Sequence, residues 1–393
     1  MNIIESIFYV SLLIIFYTYV GYGIILYTLV SVKKIIIPAK IDDNIDFLPE
    51  VTIVIPAYNE KDYIVSKMTN TMNLNYPQDK LKIYWVTDGS DDGSEKILQK
   101  YSSIKVFHQP ERRGKINAMN RVMPFVNTGI TIFTDANAML NFDSIRIITS
   151  KFKDTKIGCV SGEKRIKSKK TDKASGSGEG FYWRYESFLK KLDGELYSVV
   201  GAAGELFAIR TELYEYVESN IILDDFIISL RIAMKGYKIA YDNNAYATEN
   251  ASATVNDEFK RKVRICTGGI QSVVKLKELL NIFKYKTLSF QFISHRVLRW
   301  TLTPILFFLL LPINFFLYNN KPNDTFIHYS LVMLILFYVL IFVGYLFRRK
   351  KIKIRFIYIP FYFFIMNLSA IIGIINYVRN KQFAVWEKVN RDC

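Results

Sequence analysis

Cysteine and histidine are scarce in this chain of 393 residues. Its three cysteines stand at positions 159, 266 and 393, and no two of them form a CxxC pair. That spacing argues against a structural zinc site or a disulfide framework and suits a reducing compartment. The three histidines, at 108, 295 and 328, show no metal-ligand spacing, and we assign them no role.

Two common nucleotide-binding motifs are also missing. No GxGxxG follows the first predicted strand, and no GxxxxGKS or GxxxxGKT occurs anywhere in the chain. The first absence removes support for a dinucleotide-binding dehydrogenase, and the second removes support for a P-loop enzyme.

Acidic residues are outnumbered, with 36 Asp and Glu against 52 Lys and Arg and a net charge of +16. Residues 296–393 hold 13 basic and three acidic residues, and this most basic stretch is also rich in apolar residues. That combination is typical of a membrane protein with basic flanks and not of a nucleic-acid binder. We therefore expect membrane lipids, and no nucleic acid, among the partners.

Four stretches without formal charge are long enough to cross a bilayer: 7–30, 300–318, 325–347 and 356–378. A bilayer core needs about 20 apolar residues at helical rise. The first stretch lacks a basic n-region and a small-residue cleavage site, so we interpret it as a retained anchor and not as a signal peptide. These features predict a multi-pass membrane protein.

Basic residues beside these stretches predict which ends lie in the cytoplasm. Lys33 and Lys34 follow the first stretch, and six more Lys and Arg lie within 348–355. Both markers place 31–295, and with it the domain between the apolar stretches, on the cytoplasmic side of the plasma membrane. They place 319–324 in a short outside loop.

The sequence leaves the side of the C-terminal tail open. Strict counting of spans puts it outside, whereas a re-entrant or interfacial segment broken at Pro360 would keep its four basic residues inside. The predicted parts are an N-terminal transmembrane anchor at 1–32, a cytoplasmic domain at 48–255, amphipathic interfacial helices at 256–298, transmembrane helices at 299–378 and a tail at 379–393.

Between 48 and about 250 the pattern alternates short β-rich runs with helical stretches. It predicts an α/β domain, in which helices cover both faces of a mostly parallel sheet. The predicted strands are 51–57, 82–87, 104–108, 129–134, 157–162 and 205–210. The predicted helices lie near 60–73, 92–101, 114–126 and 142–152. The Gly/Ser-rich stretch 167–180 predicts a loop, with a solvated linker and a lid over a phosphate ligand as equal alternatives.

Polar clusters follow several of the predicted strands. Sheets of this kind bind ligands beyond the carboxyl ends of their strands, so these clusters mark the expected site. They are AYNE at 57–60, TDGSDDGS at 87–94, TDAN at 134–137 and, much later in the chain, LDD at 223–225.

With these clusters the chain resembles the membrane-bound family-2 glycosyltransferases of the inverting GT-A type, which include cellulose, hyaluronan and poly-N-acetylglucosamine synthases. The similarity runs from about 48 to 275. Its markers are IPAYNE (55–60), DGSDDGS (88–94), RRGKINAMN (112–120), DAN (135–137), GxxGxxxAxR (201–210), DD (224–225) and RxxR (261–264). The resemblance implies a GT-A fold. It also implies transfer of a sugar from a nucleotide-diphospho-sugar, which we expect to be UDP-linked, to a growing polysaccharide or a glycolipid of the cell envelope.

Asp225 matches the aspartate that acts as the catalytic base in this family, and Asp224 stands where relatives often have Glu. The residues support this role independently of the resemblance. A helix N-terminus favours the carboxylate form, whereas a neighbouring like charge raises one pKa toward neutrality. A plain helix cap is the alternative, and it would explain one aspartate but not two.

Asp135 and Asn137 stand where the family's DxD motif binds a divalent metal that bridges the diphosphate. Mg²⁺ and Mn²⁺ prefer oxygen ligands, and we expect one of them as a cofactor. The second carboxylate of the motif is an amide here, which predicts a weaker metal site or a different ligand. A simple turn after the strand is the alternative.

The resemblance assigns the remaining motif residues to the nucleotide sugar. Asp88 matches the aspartate that reads the uracil ring in relatives. The other residues expected to bind the nucleotide sugar are Pro56, Ala57, Tyr58, Glu60, Arg113, Lys115, Asn120 and Asp135.

Arg261 and Arg264 lie three residues apart on a helix predicted from 259 to 274. They face away from its apolar stripe, so the helix can lie at the membrane surface and aim two guanidiniums at a diphosphate. A basic helix attracted to anionic lipid is the alternative. Processive relatives have a tryptophan after this motif that helps form the acceptor site, whereas this chain has Ile265.

Aromatic and small residues before the base predict the acceptor site, which we place at Trp183, Gly204 and Glu205. Buried core aromatics are the common alternative explanation. Four spans shelter a lipid headgroup easily but make a sparse channel, so export of a glycan would need a second copy or a partner protein. Single-sugar transfer to a lipid-linked acceptor is therefore kept as an alternative, with an inactive membrane scaffold as the third reading.

Overall fold

The computed structural model describes residues 2–37, 47–167, 176–250, 255–347 and 355–380. An eight-stranded sheet forms the centre of the region between 47 and 250. Its strands are β1 (Val51–Ala57), β2 (Leu81–Asp88), β3 (Lys105–Gln109), β4 (Ile130–Thr134), β5 (Met139–Leu140), β6 (Ile157–Lys167), β7 (Leu206–Arg210) and β8 (Lys238–Asn250).

Helices cover the sheet and build the two ends of the chain. Those before the last strand are α1 (Ile3–Phe16), α2 (Tyr22–Ile36), α3 (Lys61–Met72), α4 (Ser94–Leu98), α5 (Lys115–Val122), α6 (Ser144–Lys151), α7 (Gly176–Leu196) and α8 (Asp224–Met234). Those after it are α9 (Val255–Lys275), α10 (Ile282–Tyr285), α11 (Thr287–Phe292), α12 (Leu298–Trp300), α13 (Leu302–Asn320), α14 (Thr325–Phe347) and α15 (Arg355–Val378).

The sheet has the strand order β3-β2-β1-β4-β7-β6-β8-β5. The pairings β1 with β2, β1 with β4, β2 with β3 and β6 with β8 are parallel. Strand β7 runs antiparallel to both of its neighbours, and β5 runs antiparallel to β8. Because β1, β2 and β4 are parallel, their carboxyl ends lie along one edge of the sheet, where the predicted polar clusters follow.

The central strands are apolar on both faces because helices cover both sides of the sheet. All seven residues of β1 are buried. Ile53 and Ile55 pack into the core on one side, and Val54 packs into the core on the other side together with Phe133. This rigid sheet holds the loops that follow its strands in fixed positions.

The α/β prediction is confirmed, and each of the six predicted strands is present. Strands β5 and β8 were not predicted. Strand β8 was not predicted because it contains Asp242, Asn243 and Asn244, which are residue types that favour turns. It forms because its backbone pairs with β6 on both sides of a register shift.

The predicted loop at 167–180 is shorter in the structure. Strand β6 extends to Lys167, and α7 already begins at Gly176. Residues 168–175 lie outside the described part of the chain, so the choice between linker and lid stays open.

Within the described residues, four helices are long and apolar enough to cross a membrane, in agreement with the four predicted spans: Ile3–Ile36, Leu302–Asn320, Thr325–Phe347 and Tyr358–Val378. The first consists of α1 and α2, which a π-helical turn at Tyr17–Gly21 joins. Helix α15 continues through Pro360, where the sequence suggests a break. Residues 348–354 and 381–393 lie outside the described residues, so the predicted side of the membrane rests on the sequence.

Glycines let α9 pack closely against its neighbours. A Cβ atom at Gly268 would lie 2.8 Å from Ile222, which precedes α8. A Cβ atom at Gly373 of α15 would lie 2.8 Å from the Cβ of Cys266. Helix α9 is thus in direct contact with both the sheet domain and the last apolar helix, and its predicted position at the membrane surface stays a prediction.

A buried polar cluster ties the first apolar helix to the sheet domain. The Asp193 carboxylate accepts hydrogen bonds from the Tyr22 hydroxyl (2.5 Å) and from the Gln291 side chain (3.1 Å). Its other oxygen lies 2.5 Å from Nδ1 of His295. All four side chains are fully buried. A second π-helical turn, at Ile293–Val297, carries this histidine.

The buried cluster gives a stability prediction. Tyr22→Phe removes one donor from a buried carboxylate, so we expect the free energy of unfolding to fall by about 1–3 kcal/mol. Thermal unfolding of the detergent-solubilised protein measures the loss. Tyr27→Phe is the matched control, because Tyr27 lies on the same helix and is 60% exposed. Equal melting temperatures for the two variants would contradict the stabilising role of this hydrogen bond.

Candidate functional site

The carboxylate of Asp88, at the end of β2, fixes the start of helix α5. It accepts hydrogen bonds from the backbone N–H groups of Arg113 (2.9 Å) and Gly114 (2.6 Å). Gly114 has a φ of +94°, a conformation that L side chains rarely adopt. The chain therefore turns sharply here, and the next residue, Lys115, enters the region beyond the end of β4.

Lys115 lies among the carboxylates of Asp135, Asp224 and Asp225. Its Nζ is 2.7 Å from Asp135 and 3.9 Å from Asp224. Burial works against charging this lysine, but these two carboxylates outweigh it and raise the pKa of Lys115. Burial also raises the pKa of Asp135, and the ammonium of Lys115 acts against that shift. The pair holds two opposite charges in a site with little solvent.

Asp224 and Asp225 open helix α8 beside this pair. Burial, followed by the neighbouring Asp224 charge, raises the pKa of Asp225 to about 7. Gly204 leaves space for the carboxylate, since a Cβ atom there would lie 3.1 Å from Oδ2 of Asp225. Asp225 therefore exchanges a proton readily near neutral pH, as a general base requires.

A second glycine sets the start of helix α8. Gly201 has a φ of +90°, and a Cβ atom at this position would lie 2.2 Å from the ring of Phe226. The absence of a side chain at 201 lets that ring pack next to the backbone of the GxxGxxxAxR segment. Phe226 directly follows Asp225, so this packing holds the carboxylate in place.

The two arginines of helix α9 differ in their partners. The Arg261 guanidinium pairs with Glu258, with 3.0 Å between Nε and Oε2. Arg264 makes no hydrogen bond or ion pair within the described ranges. Burial lowers the pKa of Arg264, and the nearby Asp224 carboxylate acts in the opposite direction. Arg264 is therefore a cation whose charge the described part of the protein leaves largely unsatisfied.

Glu205 also belongs to a buried ion-pair cluster. It pairs with Lys164, which lies 2.8 Å from Glu249 on its other side. The Lys164 ammonium offsets the cost of burial and lowers the pKa of Glu205 to about 2. Glu205 thus stays ionised, in contrast to Asp225. Lys164 and Glu249 were not predicted as site residues. They lie on strands β6 and β8, whose pairing was not predicted either.

These groups line one cavity of about 260 Å³ beyond the edge of the sheet. The predicted site residues that line it are Lys115, Asp135, Trp183, Gly204, Glu205, Asp224, Asp225, Arg261 and Arg264. The predicted site residues outside this lining are Pro56, Ala57, Tyr58, Glu60, Asp88, Arg113, Asn120 and Asn137. The structure therefore brings the predicted base, the first metal residue and both arginines together.

Several of the residues outside the cavity have clear structural contacts. The amide of Asn120 donates to the Val217 carbonyl (2.7 Å) and accepts from the Tyr214 hydroxyl (2.7 Å), so it holds the loop before α8. The side chain of Arg113 pairs with Glu111 at the surface. Their predicted contact with the nucleotide stays a prediction.

Tyr58 follows β1 and forms a separate surface feature. Its ring lies 3.8 Å from the guanidinium carbon of Arg112. The pair joins two loops at the same edge of the sheet. Asp88, which lies at the end of the adjacent strand, is 5% exposed. An aromatic face and a cation at this edge suit a nucleotide base and its phosphates.

The residues after β4 fit a divalent metal in their chemistry. Asp135 offers a carboxylate, and Oδ1 of Asn137 is buried without a hydrogen-bond partner in the described residues. An orphaned buried oxygen is costly unless a cation or water satisfies it. Among the described residues, however, no group of three or more His, Cys, Asp or Glu could hold a metal alone. A metal here would take its further ligands from phosphate oxygens and water.

Lys67 holds the loop that follows β4, and this role was not predicted from the sequence. It is fully buried in α3 and donates hydrogen bonds to the Thr134 hydroxyl (3.0 Å) and to the Ala138 carbonyl. Burial lowers the pKa of Lys67 to about 7. Its position between Ile64 and Met68 on the buried stripe of the helix is the sequence signal that could have found it.

Three comparisons place the chain among known proteins. The family model described as "Glycosyltransferase like family 2" matches residues 49–268. Poly-beta-1,6-N-acetyl-D-glucosamine synthase of Staphylococcus aureus (strain MSSA476) is 27% identical over 257 residues, which are 63% of this chain and 60% of that protein. The protein of the same name from Staphylococcus epidermidis is 23% identical over 249 residues, 61% of this chain and 58% of that protein. The matched part thus spans less than two thirds of these relatives.

A solved structure shares the architecture over nearly the whole chain. The mannosyltransferase PcManGT from Pyrobaculum calidifontis, in complex with GDP-Man and Mn²⁺, has a TM-score of 0.73 at 19% sequence identity, and the match covers 96% of this chain and 100% of that one. At this identity the likeness shows the fold, a GT-A domain with apolar helices. The family model covers more than half of the chain. The chain therefore belongs to glycosyltransferase family 2, as its motifs predict.

Proposed function

We propose that this protein is an inverting glycosyltransferase that transfers a sugar from a UDP-sugar to a glycan in cell-envelope or exopolysaccharide synthesis. The observation that carries the proposal is the single cavity in which Asp225, Lys115 and Arg264 meet. UDP-N-acetylglucosamine is the first candidate donor, because the similar staphylococcal proteins are named for a polymer of that sugar.

Asp225 is the general base of the proposed reaction. A hydroxyl of the acceptor attacks the anomeric carbon of the donor sugar from the face opposite the diphosphate. The bond from that carbon to the acceptor oxygen forms, the bond to the diphosphate oxygen breaks, and the hydroxyl proton passes to the Asp225 carboxylate. A pKa of about 7 lets this carboxylate take the proton near neutral pH and release it again.

Arg264 and Lys115 stabilise the departing diphosphate in this proposal. Negative charge grows on the leaving group in the transition state, and fixed cations in a dry cavity stabilise it strongly. Arg264 has no partner within the described chain that would neutralise it, so it is the stronger candidate of the two arginines. Arg261 lines the same cavity, but Glu258 offsets its charge.

Asp135 and Asn137 would hold a divalent cation, Mg²⁺ or Mn²⁺, next to the diphosphate. When bound, the metal supplies positive charge that weakens the bond to the leaving group. The structure of PcManGT, which has a similar fold, is a complex with Mn²⁺ and supports this part of the proposal. Asp88, Tyr58, Arg112 and the neighbouring loops would then bind the nucleotide at the edge of the sheet.

A lipid-linked acceptor is the second candidate. Met366 of α15 lines the cavity, so an apolar helix borders the site directly. An acceptor carried on a lipid could reach the base from that side. We place the catalytic domain on the cytoplasmic side, from the positive-inside pattern.

The donor and the product can be tested together. We expect the purified protein in detergent to release UDP from UDP-N-acetylglucosamine with Mn²⁺ or Mg²⁺, and to stop when the metal is chelated. Asp225→Asn should slow release by about 100-fold to 10,000-fold, the usual contribution of a general base. Sizing the product on a gel separates a polymer from a single addition.

Asp62→Asn is the control for the donor experiment, since this exposed residue of α3 undergoes the same change of charge away from the cavity. It should retain full UDP release. Release by Asp225→Asn at the normal rate would refute the assigned base. No release from any nucleotide sugar would favour the scaffold reading.

The raised pKa of Asp225 predicts how the rate depends on pH. The base must be deprotonated, so kcat should rise with pH through about 7. Asp224→Asn removes a neighbouring negative charge and lowers the pKa of Asp225, so the rise should move to lower pH. The measurement is the pH profile of UDP release at saturating donor. An unchanged midpoint in Asp224→Asn, with Asp62→Asn as the reference, would contradict this electrostatic coupling.

The two arginines of helix α9 should differ in their effect on UDP binding. A charge-assisted hydrogen bond contributes about 1.5–3 kcal/mol, so Arg264→Gln should weaken UDP binding about tenfold or more. Arg261→Gln, the matched control on the same helix, should have a clearly smaller effect because Glu258 already pairs with it. Calorimetric titration with UDP and Mn²⁺ measures both. Equal losses would show that the ion pair does not set the two residues apart.

A further inference from the structure

The cavity contains a tryptophan that lies outside the family motifs. Trp300, the last residue of α12, lines the cavity together with Asp225 and Ile265. The family model ends at residue 268, so Trp300 belongs to the segment between the matched domain and the second apolar helix. No motif of the sequence analysis contains it.

The position of the Trp300 ring is built into the fold. A Cβ atom at Gly269, four residues after Ile265, would lie 2.5 Å from the indole ring. The ring also meets Phe226 edge to face, with 5.3 Å between the ring centres. These two contacts fix the indole against helix α9 at Gly269, which is one helical turn after Ile265.

Arg296 supplies a fixed polar group beside this ring. Its guanidinium carbon is 5.9 Å from the centre of the Trp300 ring. Glu186 holds Nη1 at 2.7 Å, and the Val200 carbonyl accepts from Nε at 3.2 Å. Glu186 in turn contacts His295 at 3.3 Å, so the buried cluster around His295 continues to the cavity. Arg296 and Glu186 both line the cavity.

An aromatic face beside fixed charged groups is suited to a sugar ring. The apolar C–H face of a pyranose packs on an aromatic ring, and its hydroxyls accept from a guanidinium or donate to a carboxylate. Trp183 and Lys190 of α7 line the same cavity, so polar and aromatic groups surround a space next to the base.

We propose that Trp300 and Arg296 form the subsite that binds the acceptor sugar, in place of the aromatic side chain that Ile265 does not provide. This inference rests on the proposed function, because it takes the attacking hydroxyl to come from a sugar. The Trp300 ring orients the acceptor sugar, and Arg296 fixes it through one or more hydroxyls. The hydroxyl that attacks then faces Asp225.

The subsite can be measured with and without turnover. The probe is a short β-1,6-linked N-acetylglucosamine oligosaccharide, used as acceptor with UDP-N-acetylglucosamine and Mn²⁺. Trp300→Leu should raise the KM for this oligosaccharide about tenfold, equivalent to about 1.4 kcal/mol of binding free energy. The KM for the donor should change much less. Trp300→Phe keeps an aromatic face and should recover most of the acceptor affinity.

Two further measurements separate a binding role from a structural one. Titration of the protein with UDP and the same oligosaccharide, followed by calorimetry, reads the subsite without catalysis, and Trp300→Leu and Arg296→Gln should each weaken it. Phe283→Ala removes a ring that is 91% exposed and should leave activity and affinity unchanged.

Each possible result decides the proposal. Equal rises in the KM of donor and acceptor for Trp300→Leu would assign the ring a structural role only and overturn the subsite. An unchanged oligosaccharide affinity in Trp300→Leu and Arg296→Gln would overturn it too, as would absence of binding by the unsubstituted protein. Failure to release UDP with oligosaccharide binding intact would refute the proposed function while supporting the subsite.

Discussion

The cavity depends on one buried cation, Lys115. Three aspartates meet where little water can screen them, and like charges in such a place either take up protons or move apart. Lys115 opposes both outcomes for Asp135, with 2.7 Å between its Nζ and the carboxylate. Its own position follows from Asp88, whose carboxylate caps the backbone just before it. Asp88, which lies outside the cavity, thereby positions Lys115 next to the carboxylates of the cavity.

The fold balances some of its buried charges and leaves others exposed to a ligand. Glu205 pairs with Lys164, which also contacts Glu249, and Arg261 pairs with Glu258, which also contacts Lys262. Asp225 and Arg264 are treated differently, because one has a pKa raised to about 7 and the other has no partner within the described residues. Buried groups that the protein does not neutralise are the ones that can exchange a proton or bind an anion. This contrast, more than the motifs alone, supports the roles we assign.

Local patterns in the sequence predicted the sheet, the four apolar helices and the motif residues that line the cavity. Asp135 and Asp225 stand at the end of a strand and the start of a helix, where short-range rules apply, and the family resemblance supplied their predicted roles. Long-range pairing could not be predicted in this way. Glu249 contacts Lys164, which is 85 residues away in the sequence. It lies on strand β8, which was not predicted because of its turn-forming residues. Trp300 packs closely on helix α9 because residue 269 is a glycine, and no spacing rule predicts such a contact.

The contact between Gly373 and Cys266 has a consequence for how this chain can change during evolution. Any side chain at 373 would collide with the backbone and Cβ of the helix that carries Arg264. A substitution in this apolar helix is therefore constrained by the helix that carries the two arginines, and the reverse holds as well. The two parts cannot be exchanged independently between relatives, and a hybrid that combined the sheet domain of one enzyme with the membrane helices of another would have to inherit both halves of this contact.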